Sequence, residues 1–138
     1  MFYLGLAFVL GSAFMTWKAV QLWRNADLVP FFMDTFAFLP FGEEARRGEV
    51  RSIGLTTASL WGIAVLFFVG LGDGDLSGPA LFGSVAALGL VLVCVLCEIC
   101  VVLFNVPKFV VPPHMRAEPG VIAARRARRS ADSNSHGP

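Results

Sequence analysis

The segment "CVLCEIC", which begins at Cys94, places three thiols and one carboxylate inside an apolar run. Groups of these types could bind a metal, exchange electrons, carry a proton or form an ion pair. On a helix, Cys94, Cys97 and Cys100 spread over an arc of about 120°. A closed zinc site needs four ligands, and His114 and His136 both fall in the C-terminal tail. We therefore expect the cysteines to act as small apolar packing residues, with no metal and no cofactor, although a redox or metal role stays open.

Glu98 is the carboxylate of that segment, and an ionisable side chain within a membrane helix is by default a candidate functional residue. Counted along their apolar segments from the same predicted surface, Glu98 and Lys18 fall at nearly equal depth. Opposite charges at one depth on parallel helices can pair and lower the cost of burying each. The count favours an intramembrane ion pair between Lys18 and Glu98. Two alternatives remain: Glu98 reaches interfacial water alone, or it couples to a proton or substrate.

The elements that carry these residues are long apolar stretches. Of 138 residues, 56% are hydrophobic and 15% charged, a more apolar balance than the ~45–50% of soluble domains. Three stretches without charge each approach the ~20 residues that a helix needs to cross a bilayer. No Lys or Arg precedes Lys18, so the first stretch lacks the basic start of a signal peptide. We predict an all-α integral membrane protein with transmembrane helices at residues 1–23, 52–72 and 80–106.

Basic residues predict the orientation of these helices. They concentrate in the loop at residues 24–51 and in the tail at residues 107–138, whereas the short loop at residues 73–79 carries two Asp and no cation. Cytoplasmic segments are richer in Lys and Arg, so the N-terminus should lie outside a cell membrane and the tail in the cytoplasm. Anionic headgroups on that side should then contact a set of arginines. The set is Arg46, Arg47, Arg51, Arg125, Arg126, Arg128 and Arg129.

The cytoplasmic segments carry weaker patterns. Residues 29–40 are apolar but too short to span, which favours a short amphipathic helix lying in the interface. Phe32 and Phe36 of that helix, together with Trp17 and Trp23, should anchor the protein at the headgroup level. Repeated prolines predict an extended basic tail whose last ten or so residues are disordered, although "VIAARRARR" could form a short basic helix.

Two segments of the chain, "FLPFGEEARRGEVRSIGL" and "PKFVVPPHMRAEPG", resemble segments of uncharacterised small three-span membrane proteins of high-GC actinobacteria. The resemblance covers about a third of the chain. It implies a bacterial inner membrane, and it brings no activity, cofactor or site residue with it.

These patterns favour a non-enzymatic accessory or scaffold component of a membrane complex. Its partners would be the bilayer with its anionic headgroups and either a second membrane protein or further copies of the same chain; nucleic acid is not expected. The alternative is a small transporter or channel subunit in which Glu98 is the coupling carboxylate. A membrane thiol or metal enzyme that uses the cysteines is a third reading.

Overall fold

A computed structural model describes residues 2–38, 40, 42–70 and 78–135 of the chain. Within those residues every regular element is helical, which confirms the predicted all-α class. Three of the helices are long and apolar enough to cross a membrane. The α-helices are α1 (Phe2–Arg24), α2 (Val29–Thr35), α3 (Glu43–Gly70), α4 (Pro79–Phe104) and α5 (Val121–Ser135). Short 3-10 turns occupy Ala26–Leu28, Phe36–Phe38, Lys108–Val110 and Pro113–Met115. The predicted external loop falls largely on residues 71–77, which lie outside the described part.

The helix α3 lies at the centre of the bundle and packs against both α1 and α4. It runs antiparallel to both, because Gly5 of α1 adjoins Phe67 while Trp23 adjoins Gly54, and Gly62 adjoins Val91 of α4. A Cβ added at Gly62 would lie 2.6 Å from Val91 Cγ2. Small residues of this kind let helices approach closely where both are surrounded by apolar material. The two outer helices are therefore parallel to each other, with α3 between them.

The start of α3 differs from the prediction, which placed it in the loop before residue 52. The helix begins at Glu43 and continues through Gly48 without a break. Glu43 and Glu44 in the first turn favour a helix N-terminus, since their charge complements the helix dipole. Gly48 allows a close contact, because a Cβ there would lie 2.8 Å from Val102 Cγ1 of α4. Tight packing against α4 thus offsets the usual cost of glycine inside a helix.

The helix α2 is shorter than the predicted interfacial helix at residues 29–40. Its α-helical part ends at Thr35, and a 3-10 turn carries the chain to Phe38. Phe32 is only 3% exposed and packs in the core with Leu22 and Ile53. The face of α2 that seemed suited to the membrane is therefore the face turned toward the bundle.

The chain after α4 folds back under the bundle, and we call residues 105–120 the cap. Asn105 ends α4 in the left-handed conformation, and its side-chain amide donates to the carbonyl oxygen of Glu118 at 2.6 Å. Val111 and Met115 are buried in the core. At Gly120 an added Cβ would lie 2.7 Å from Phe104 Cα, so only glycine allows this approach. The prolines do prevent long helices here, but the segment is packed rather than lying loosely on the surface.

The last described element, α5, also departs from the prediction of a tail that ends in disorder. The helix runs to Ser135, well beyond the basic "VIAARRARR". Val121 at its start is buried, and Arg128 two turns later forms an ion pair with Glu44 of α3 at 2.8 Å. Residues 136–138 lie outside the described part. One side of α5 is thus attached to the N-terminal end of α3.

Arg51 joins the cap to the bundle. Its side chain is 1% exposed, and its Nη1 donates to the carbonyl oxygen of Pro119 at 2.8 Å. Glu118 lines the same small cavity, of about 200 Å³, and pairs with Arg47 at 3.7 Å. A buried guanidinium needs such partners, because an uncompensated buried charge is strongly destabilising. The tail therefore supplies the oxygen atoms that make the position of Arg51 tolerable.

Replacing Arg51 by Met should loosen the cap while keeping the side-chain volume. We expect the free energy of unfolding in mixed micelles to fall by about 1.5–3 kcal/mol, since a hydrogen bond from a charged donor is lost. Proteinase K should also cleave the tail faster. The matched control is Arg129→Met on the exposed face of α5, which should change stability by less than about 0.5 kcal/mol. Equal effects of the two substitutions would contradict the assigned role of Arg51.

Candidate functional site: a carboxylate cleft between α3 and α4

Glu98 lies on the side of α4 that faces α3. Its carboxylate accepts hydrogen bonds from the hydroxyl groups of Ser52, at 3.3 Å, and of Thr56, which makes the closer contact. Ser52 and Thr56 are four residues apart, so their side chains lie one above the other on α3. Each hydroxyl also lies within hydrogen-bond distance of a carbonyl oxygen of its own helix, that of Glu49 for Ser52 and that of Ser52 for Thr56. Two hydroxyl groups of α3 therefore hold one oxygen of the carboxylate in place.

A second carboxylate, that of Glu49, faces the same region. Glu49 and Glu98 together line a cleft of about 350 Å³, whose other walls are apolar side chains of α4. The spacing of Glu49, Ser52 and Thr56 puts all three on one face of α3. The cleft thus contains two acidic groups, one of which accepts hydrogen bonds from hydroxyl groups of the facing helix. Oxygen-rich sites of this composition can hold a proton or a hard cation.

The structure does not bring Lys18 and Glu98 together. The Lys18 ammonium lies over three aromatic rings, with Nζ 5.2 Å from the ring centroids of Trp17 and Phe31 and 5.7 Å from that of Phe14. Cation–π contacts of this kind stabilise a cation at the edge of apolar surroundings. Glu98 has its hydroxyl donors on α3 instead. The predicted ion pair is therefore wrong for the described structure.

The error has two geometric causes. The first is that α3 lies between the helices that carry the two charges, α1 and α4. The second is depth. Thr16 accepts a hydrogen bond from Trp61, whereas Trp23 adjoins Gly54 and Glu98 adjoins Ser52. Along the axis of α3, Glu98 therefore lies at the same height as Trp23. Lys18 lies more than one helical turn away from that height.

The three cysteines differ in environment, as the spread around a helix predicts. Cys94 is buried and packs in the core, Cys97 is half-buried, and Cys100 is exposed, all as free thiols. Among the described residues, no group of three His, Cys, Asp or Glu side chains is placed to hold a metal ion. Cys94 has the packing role that was expected of it.

Three of the arginines expected at anionic headgroups have partners within the protein, and one of them is Arg128, which pairs with Glu44. Arg51 is buried and bonded to the cap, and Arg47 pairs with Glu118. The prediction that Arg51 contacts anionic headgroups is therefore wrong, because a side chain that is so completely enclosed cannot reach lipid. Arg46 is half-buried, whereas four arginines of α5 remain largely exposed. These are Arg125, Arg126, Arg128 and Arg129.

The aromatic residues expected as interfacial anchors also differ in exposure, from outward-facing to buried. Trp17 is 56% exposed and keeps an outward position. Trp23 and Phe36 are half-buried, and the guanidinium carbon of Arg116 lies 6.0 Å from the Trp23 ring centroid. The prediction that Phe32 is an interfacial anchor is wrong, since this side chain is buried in the core. Within the described part of residues 29–40, the exposed aromatic residues are Phe31 and Phe38.

Glu49, Ser52 and Thr56 were not identified from the sequence as site residues. A signal was present, because positions i, i+3 and i+7 of a helix fall on one face. It could be recognised only if α3 was known to begin before Glu49. The prediction instead began this helix at residue 52, which left Glu49 in the loop.

Comparison of the chain with protein-family models, with curated proteins and with solved structures finds no match.

The contacts of Glu98 predict which residues are energetically coupled to it. In a double-mutant cycle, Thr56→Val and Glu98→Ala should be non-additive by at least about 0.5 kcal/mol in the free energy of unfolding, because contacting residues share an interaction. The matched cycle of Lys18→Gln with Glu98→Ala should be additive, since those side chains do not meet. If the Lys18 cycle showed coupling and the Thr56 cycle were additive, the result would support the ion pair between Lys18 and Glu98. It would also contradict the hydrogen bonds to Glu98 described here.

Proposed function

We propose that this protein is a multi-pass component of a bacterial cell membrane that serves as a non-enzymatic accessory or scaffold subunit of a membrane complex. Support for membrane insertion comes from the exposed apolar side chains along all three long helices. Examples are Leu10 of α1, Val65 of α3 and Leu96 of α4. Such extended apolar surface is unfavourable in water and favourable against acyl chains.

The proposed orientation is supported by where the cations lie in the folded chain. The C-terminal ends of α1 and α4 meet the N-terminal end of α3, and the cap and α5 pack at that same end. Nearly all basic residues of the protein therefore belong to one end of the bundle. The positive-inside rule assigns that end to the cytoplasm and the N-terminus to the outside.

The observation that carries the scaffold proposal is the cap. Two contacts fasten it under the bundle, Arg51 to Pro119 and Gly120 against Phe104, and the hydrogen bond from Asn105 to Glu118 closes the cap on itself. The result is a folded platform at the cytoplasmic end of a small transmembrane bundle. A platform of this kind can present a fixed surface to a partner, which a loose tail would do only at an additional entropic cost.

Contacts with the membrane surface form part of the same proposal. On α5, Ile122 and three exposed arginines line one shallow depression. Such a basic face would lie against anionic headgroups, each cation contributing about 1 kcal/mol near the surface. The segment around α2, with Phe31 and Phe38 exposed, would lie in the interface on the same side.

The scaffold proposal predicts an assembly that depends on the cap and not on the carboxylate. The full chain would carry green fluorescent protein after Pro138, a tag that fluoresces when the C-terminus is cytoplasmic. After cross-linking in native membranes, the wild type and Glu98→Gln should migrate together in a species larger than the monomer. Arg51→Met should shift most of the signal to the monomer, whereas Arg129→Met should not.

Two results would contradict this proposal. A fluorescent protein that remains monomeric after cross-linking would exclude a stable assembly. A non-fluorescent but membrane-inserted fusion would reverse the orientation.

A second candidate, the transporter or channel subunit, is favoured by the carboxylate cleft. Among the residues that the structure describes, no cation forms an ion pair with Glu98, which accepts from two hydroxyl groups and shares the cleft with Glu49. A carboxylate of this kind within a membrane helix can carry a proton.

This candidate predicts proton flux into vesicles that contain the purified protein. With a membrane potential imposed and a pH-sensitive dye inside, the wild type should acidify the vesicles. Glu98→Gln should abolish the flux, because the amide cannot accept the proton as a carboxylate does. Glu43→Gln, an exposed control at the start of α3, should keep it. Equal rates for the wild type and Glu98→Gln would exclude Glu98 as a coupling group.

A further inference from the structure

A groove separates α1 from α3 on the side of α3 away from Glu98. Its volume is about 510 Å³, within the range of sites that hold small molecules. It is lined by Thr16, Ala19, Val20, Trp23 and Arg24 of α1 and by Gly54 and Thr57 of α3. Two of these residues, Ala19 and Gly54, have little or no side chain, which leaves the space between the helices open.

The walls of this groove are apolar in effect, because their hydroxyl groups are engaged elsewhere. Thr16 donates to the carbonyl oxygen of Ser12 and accepts from Trp61 Nε1. Thr57 donates to the carbonyl oxygen of Ile53. At Gly54 an added Cβ would meet its nearest atoms, Trp23 Nε1 and Val110 O, only at 3.9 Å. The groove is therefore wide enough for an apolar ligand. Such a ligand would leave no hydroxyl group of the walls without a hydrogen-bond partner.

The cytoplasmic mouth of the groove is positive. Arg24, the last residue of α1, is exposed there. Arg116 of the cap lies over the Trp23 ring, and its Nε donates to the carbonyl oxygen of Val111 at 3.0 Å, which fixes the position of the guanidinium. No acidic residue is among those that line the groove in the described structure. An apolar slot thus ends beside two guanidinium groups and an indole.

We propose that this groove binds an anionic phospholipid, with one acyl chain between α1 and α3 and the phosphate held by Arg24 and Arg116. The inference rests on the proposed membrane location and orientation. Basic pockets between transmembrane helices on the cytoplasmic side suit acidic lipid headgroups, and an indole is suited to the level of the headgroups. The charge at the mouth selects an anionic lipid over a zwitterionic one, and Arg116 makes the site depend on a docked cap.

The test uses tryptophan fluorescence quenched by brominated acyl chains, which act only at short range. The chain has three Trp residues, so Trp17→Phe with Trp61→Phe leaves Trp23 as the reporter at the groove. In vesicles, dibrominated phosphatidylglycerol should quench Trp23 more strongly than dibrominated phosphatidylcholine does. Arg24→Gln should reduce that preference about fivefold, the equivalent of about 1 kcal/mol for one cation. Gly54→Leu should fill the groove and reduce quenching by both lipids.

The matched control is Arg129→Gln on the exposed face of α5, outside the groove, which should lower the preference at Trp23 clearly less than Arg24→Gln does. Equal quenching of Trp23 by the two lipids would overturn the proposal. So would an equal loss of preference in Arg129→Gln, because the effect would then be one of general surface charge. Absence of quenching by either lipid would also overturn it, since the groove would then be covered by protein, as by a helix of a partner.

Failure of this inference can be told from failure of the proposed membrane location. A second reporter retains Trp17 alone, through Trp23→Phe and Trp61→Phe, and Trp17 faces outward from α1. If neither lipid quenches Trp17, the protein is not inserted as proposed. If both quench Trp17 while Trp23 shows no lipid preference, membrane insertion stands and the lipid site alone is refuted.

Discussion

The close contact of α3 with α4 is the constraint on which the rest of the structure depends. At Gly48 and Gly62 the two helices approach so near that a single added carbon would meet a valine of α4. This contact determines which side of α3 is occupied, and therefore where α1, α2 and the cap can pack. It also brings the hydroxyl groups of α3 to Glu98. Close packing of small residues here performs the task that apolar burial performs in soluble proteins.

The charged side chains within the bundle are compensated in three different ways. Lys18 lies against aromatic rings, Glu98 accepts from hydroxyl groups, and Arg51 donates to a backbone carbonyl of the cap. None of the three contacts joins a full positive charge to a full negative one. Pairs of opposite charge are found instead at the N-terminal end of α3, where Arg128 meets Glu44. Hydrogen bonds and ring faces can satisfy a buried charge without requiring a second charge to be desolvated.

The two proposed sites lie on opposite sides of the same helix. The carboxylate cleft opens between α3 and α4, and the lipid groove opens between α3 and α1. Both are near the end of the bundle where the cap packs, and the cap reaches both regions: Pro119 accepts a hydrogen bond from Arg51, which precedes Ser52, and Arg116 lies over Trp23. Movement of the cap would therefore alter the groove directly, by removing a guanidinium from its mouth.

The sequence by itself determined the properties that depend on position along the chain. The three long apolar helices, their approximate ends apart from the start of α3, the packing role of Cys94 and the gathering of cations in the loop and tail all follow from spacing and composition. Tertiary structure alone decided which side chains meet. Lys18 and Glu98 carry opposite charges at a similar count from their helix starts, yet the order of packing places α3 between them. Phe32 and Arg51 were expected outside and are buried, because a periodic pattern shows that a helix has two faces without showing which face a neighbour will cover. A residue count measures depth along one axis, whereas contact also depends on rotation about that axis and on the neighbouring helix, and both of these are set by packing.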